Sequence, residues 1–102
     1  MIKITKNIAV FGTTFAIARY QLTQMLNNFR YGDVLKVTNN PNCCEVLLKD
    51  GTRYKAFVAD ESARGQRFDM VFVQHEISGD NFYNVIYHSM LLPDPEKIIY
   101  FQ

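Results

Sequence analysis

Two continuously apolar stretches of this chain, Ile8-Ala9-Val10-Phe11 and Met70-Val71-Phe72-Val73, read as strands buried on both faces, and Ile98-Ile99-Tyr100-Phe101 reads as a last strand. A strand with one wet face alternates apolar and polar residues. A continuous run needs cover on both faces, as in the interior of a parallel sheet. This requirement constrains the fold more than any other feature, because helices must lie between the runs to supply the cover.

The intervening residues provide them. Phe15, Ala18, Leu22, Met25, Leu26 and Phe29 recur at intervals of three and four, which predicts a helix from about Thr14 to Phe29. Thr13 and Thr14 offer its N-cap, and Gly32 is expected to stop it. Asp33 to Thr38 alternates and reads as a short strand, Asn39-Asn40-Pro41-Asn42 as a turn, and Cys43 to Lys49 as strand again. Asp50-Gly51 signals a hairpin, with Thr52 to Val58 returning antiparallel. A polar loop from Asp60 to Arg67 leads into a buried strand over Phe68 to Val73. A second helix is expected from near Asn81, with Phe82, Val85, Ile86 and Met90 on one face and Pro93-Asp94-Pro95 ending it. The order β-α-β-β-β-β-α-β predicts an α/β fold. Its sheet is mixed and mostly parallel, has an antiparallel hairpin at one edge, and carries the helices packed on it.

A length of 102 residues suits one domain spanning 1–102, and 48% apolar against 21% charged residues marks a globular chain. The formal net charge of +1 lacks the basic excess of a dedicated nucleic-acid binder. No apolar run approaches the roughly 20 residues that span a bilayer, and the short run behind MIKITKN is too brief for a secretory signal. Cys43 and Cys44 are adjacent and pair only through a strained ring, so the sequence fits a reducing cytoplasm. The spacing does not indicate a zinc site with His75 and His88, and a cysteine–histidine dyad is disfavoured because the cysteines start a strand with no helix N-terminus nearby to activate them.

Further motifs carry a resemblance. Val46-Leu47-Leu48-Lys49-Asp50-Gly51-Thr52-Arg53-Tyr54 is a hairpin with the signature Asp-Gly-Thr-Arg between apolar runs. Ser62-Ala63-Arg64-Gly65 precedes the strand Phe68 to Val73, and Glu96-Lys97-Ile98-Ile99 follows a proline turn. In this order and spacing the chain resembles the central part of the ATPase domain of bacteriophage large terminases, DNA-packaging motors of the P-loop ATPase class. The resemblance implies a P-loop-like scaffold whose central strand ends at a nucleotide site.

The chemistry that such a site requires is altered here. A P-loop cradles phosphates with Gly-x-x-x-x-Gly-Lys-Ser/Thr, a pattern the sequence does not contain. Phe11-Gly12-Thr13-Thr14 places a glycine and two hydroxyls at a helix start without the second glycine and the lysine. Where the family has carboxylates directly after the apolar strand, this chain has Gln74 and His75, with Glu76 displaced along it. A slip of one residue turns a strand side chain to the other face. The sequence therefore predicts a non-catalytic, phage-encoded interaction protein in the host cytoplasm, needing no cofactor or metal, that binds and modulates a protein partner. Two other readings attach to specific residues. A basic patch of Arg53, Lys55, Arg64 and Arg67 would contact a nucleic acid or a partner. Gly12, Thr13, Thr14, His75 and Glu76 would form an anion or nucleotide site in a weak nucleotide-binding enzyme, since helix N-termini and strand ends attract phosphate.

Overall fold

In the computed structural model, residues 4–59, 67–77, 79–87, 90 and 95–101 are described. Strand β1 (Lys6–Gly12) leads into helix α1 (Phe15–Leu26). The chain then forms β2 (Val34–Asn40), β3 (Cys43–Leu48), β4 (Thr52–Val58), β5 (Met70–Gln74) and β6 (Ile98–Phe101). The six strands make one sheet in the order β2-β3-β4-β1-β5-β6. β1 is parallel to β4 and β5, and β5 to β6, whereas β3 runs antiparallel to both β2 and β4. This is the α/β fold with a mixed, mostly parallel sheet and a hairpin edge that the apolar runs require.

β1 occupies the middle, and Ile8, Ala9, Val10 and Phe11 are each no more than 2% exposed. Alternation sends Val10 toward α1, where it joins Ala18, Leu22, Cys44, Val46 and Ala56. Ala9 and Phe11 point the other way, into a cluster with Phe57, Phe68, Val71, Val73, Ile86 and Met90. Within that cluster Phe11, Phe57 and Phe68 form a mutual aromatic contact, with ring centroids 5.2 to 5.8 Å apart. Such pairs add about 0.5–1.5 kcal/mol each beyond the area they bury.

Several boundaries differ from the expectations. α1 ends at Leu26, not Phe29, because Asn27, Asn28 and Phe29 donate their N–H groups three residues back to Gln24, Met25 and Leu26. The chain tightens there into a turn before Gly32 is reached. β2 runs through Asn39 and Asn40, which the sequence assigns to the turn. The Asn40 side chain accepts from the N–H groups of Asn42 and Cys43 at 2.9 and 2.8 Å, so one residue both ends the strand and builds the turn. Gly51 supplies the hairpin with φ of 94°, as Asp50-Gly51 demands.

The second helix differs more. A three-residue α-turn, α2 (Gly79–Asn81), passes into π-helical winding over Phe82–Tyr87. Wider turns of this kind re-space the side chains, yet Phe82, Ile86 and Met90 still pack into the Phe11 cluster. Phe68 stands just before β5 and bridges to Met90 in parallel. The loop with Arg64, and Pro93-Asp94, lie outside the described residues. No helix among the described residues is long and apolar enough to cross a membrane.

Burial raises the Tyr54 phenol and the Cys44 thiol above their ordinary pKa ranges; at Tyr54 the Asp50 charge adds to it, and at Cys44 burial outweighs the Arg19 guanidinium. For both groups the folded pKa exceeds the unfolded one. Their contribution is intact below the unfolded value and is lost as pH rises through the folded one. Stability measured by urea unfolding is therefore expected to decline through the alkaline range, and Tyr54→Phe to flatten that decline. Phe11→Ala is expected to cost roughly 3–5 kcal/mol in the same assay, since the aromatic cluster cannot close around the cavity.

Candidate functional site

The chain leaves the C-terminal ends of β1 and β5 toward opposite faces of the sheet. After β1 it enters α1, which covers the Val10 face, and after β5 it enters the Gly79–Tyr87 segment, whose Phe82 and Ile86 cover the Phe11 face. Adjacent parallel strands whose successors diverge in this way leave a crevice at their carboxyl ends, where open α/β sheets bind ligands. The register places Phe11 opposite Val73, so Gly12, Thr13 and Gln74 meet in that crevice.

Gln74 fills it. The residue is 6% exposed, and its Oε1 accepts from both the N–H and the hydroxyl of Thr13, at 2.8 and 2.9 Å. Thr14 is the N-cap of α1, its hydroxyl accepting from the Ile17 N–H at 3.3 Å. Gly12 is required by closeness: a Cβ there would lie 2.7 Å from the Ala18 nitrogen and 2.8 Å from the Thr14 carbonyl oxygen. His75 and Glu76 follow β5 as exposed residues. The His75 N–H donates to the Phe101 carbonyl at 2.7 Å, and its ring stands edge-on to Tyr100 at 6.0 Å. The fold thus brings Gly12 and Thr13 to Gln74 and directs His75 toward β6. Among the described residues no three His, Cys, Asp or Glu side chains converge as a metal-binding group.

Arg53 pairs with Asn7 near the other end of β1, roughly 17 Å from Gly12 at about 3.3 Å per residue, whereas Lys55 pairs with Ala9 at the middle of the strand. Asn7 organises that end. Its N–H donates to an Asp69 carboxylate oxygen at 2.8 Å, and its carbonyl accepts from the Asp69 N–H at 2.8 Å. The Asn7 side chain donates to the Arg67 carbonyl at 2.8 Å and accepts from Arg53 Nε at 3.0 Å. Lys55 faces Glu45 across the β3–β4 ladder, and its Nζ lies 5.5 Å from the centre of the Phe57 ring. Arg53 and Lys55 therefore have neighbours within the sheet. Arg64 lies outside the described residues.

A third surface escaped the sequence reading. α1 packs over β1 and β4, meets β3 less and β2 least, so a seam opens between the helix and the edge strand β2. A hollow of about 540 Å³ near the end of α1 is lined by Leu26, Phe29, Tyr31, Val34, Leu35 and Val37, among others. A second, of about 370 Å³, lies farther along the same seam between Tyr20 and Asn39. Tyr31 is 98% exposed, Tyr20 66%, Leu35 46% and Val37 42%. Leu35 reads from sequence only as an apolar member of the Asp33–Thr38 strand and Tyr31 carries no pattern, since their exposure depends on where α1 ends.

Gln74→Ala is expected to cost about 1–2 kcal/mol in urea unfolding, because both Thr13 donors lose their acceptor at a part-buried site. Combined with Thr13→Val, the two changes should be non-additive, the signature of a shared bond. A comparison of the sequence with protein-family models and with curated proteins finds no match.

Proposed function

We propose that the chain is a non-catalytic interaction protein, phage-encoded and acting in the host cytoplasm. It is built on an abbreviated terminase-like scaffold and binds and modulates a protein partner through the α1–β2 seam. The observation that carries this reading is the gathering of exposed apolar side chains there, Tyr20, Tyr31, Leu35 and Val37, beside a preformed hollow. Isolated exposed apolar residues are ordinary, but a contiguous set beside a concave surface marks a protein-binding region, and tyrosine is a frequent anchor of such interfaces.

The crevice supports the same reading. The position at which the terminase resemblance implies a charged carboxylate is held by the amide of Gln74, whose oxygen is engaged by Thr13. An amide oxygen ties the strand end to the loop without supplying the negative charge that magnesium and an attacking water require. The nucleic-acid reading stands second, because Arg53 and Lys55 have partners inside the sheet.

The test is photo-crosslinking with p-benzoylphenylalanine in place of Tyr31, in phage-infected host cells. One dominant protein adduct is expected. Tyr31→Ala and Leu35→Asp should each reduce capture of that protein at least about tenfold in pull-down, a loss of about 1.4 kcal/mol. Being exposed, both should leave folding stability within about 0.5 kcal/mol. Phosphate release from ATP or GTP by the purified chain above the buffer rate overturns the non-catalytic reading, and absence of any adduct overturns the partner reading.

A further inference from the structure

β2 is an outermost strand of the sheet, so one row of its N–H and C=O groups points away from the other five strands. Its side chains alternate. Val37 and Asn39 pair with Val46 and Cys44, which pack toward α1, whereas Lys36 and Thr38 take the opposite face. A strand laid against this edge would alternate in the same way. Its α1-side residues would enter the seam, and its other residues would flank Lys36 and Thr38.

The seam has a sign as well as a shape. From Thr13 to Glu45 the sequence holds Arg19, Arg30 and Lys36 against Asp33 and Glu45, and Glu45, which stands opposite Thr38, is itself matched by Lys55 on its other side. Arg19 spans the seam, its Nε donating to the Asn39 side chain at 2.7 Å. We propose, building on the partner reading above, that the seam and the β2 edge receive an extended segment of the partner in which apolar and acidic residues alternate. Main-chain hydrogen bonds to β2 hold the segment, its apolar side chains fill the hollow lined by Leu26, Phe29, Leu35 and Val37, and its carboxylates flank Lys36 on the other face. A second copy of this chain is a poorer occupant, because pairing β2 with itself brings Lys36 near its own counterpart with no acid within Val34–Asn40 to offset it. The opposite edge, β6, is four residues long and carries no charged residue.

Two fluorescein-labelled peptides of about eight residues, the length of a strand, test this. One alternates Val with Glu and the other Val with Lys. A third repeats the Val–Glu sequence with alternate backbone nitrogens methylated. Anisotropy with the purified chain should show binding of the Val–Glu peptide, with loss of affinity of at least about tenfold for each of the other two. Lys36→Glu should shift the preference toward the Val–Lys peptide, and amide resonances of residues 36–40 should move on binding. Equal binding of the two charged peptides, retention of the methylated one, or shifts confined to Ile98–Phe101 overturns the proposal. The Tyr31 crosslink separates the two failures. An adduct together with an unbound Val–Glu peptide overturns the extended acidic segment and leaves the protein partner standing; absence of both overturns both.

Discussion

Because Ala9, Val10 and Phe11 are wholly removed from solvent, β1 must find cover on both faces and strand partners on both edges. The rest of the molecule is organised to satisfy that need. α1 shields the Val10 side, and Phe82, Ile86 and Met90 shield the Phe11 side. β4 and β5 supply the parallel partners. The cover is uneven: α1 is positioned over the centre of the sheet, so the hairpin beyond it remains partly bare. The buried central strand and the open seam are two results of one placement.

At the ends of β1 and β5 the crevice carries a polar joint between the two strands. Gly12 allows α1 to approach the strand end closely, and Thr13 then turns both its donors on Gln74. A carboxylate at the same place would accept these bonds too, but would carry a charge into a site only 6% exposed. The neutral amide forms the same contacts without that desolvation cost. Two polar fasteners, Thr13–Gln74 above and Asn7–Asp69 below, thus hold β1 and β5 together at opposite ends of their apolar middle.

Much of the fold could be read from local pattern. The continuous runs identified β1, β5 and β6, the spacing from Phe15 identified α1, and Asp50-Gly51 identified the β3–β4 hairpin. Pattern failed where one residue serves two purposes, as Asn40 does, or where winding departs from the α-helical period, as over Phe82–Tyr87. Gln74 and Asn7 were not legible as joints because their partners lie 61 and 62 residues away. Arg53 and Lys55 could be seen to share a strand face with Phe57, yet the engagement of Arg53 with Asn7 depends on strand order. The seam was invisible for a related reason: Tyr31 and Leu35 become an exposed surface only once the end of α1 is fixed in space.

The pairing of β2 with β3 slips between Val34 and Lys36, which leaves Leu35 in an irregularity. A bulged strand twists more strongly and cannot offer a long flat row of hydrogen-bonding groups. The straight remainder begins at Lys36, a charged residue that discourages stacking of like chains. An unprotected border of this length would invite fibrous growth in a crowded cell. The displaced leucine limits the border to a length that a single short visitor can occupy and an endless ladder of copies cannot easily extend.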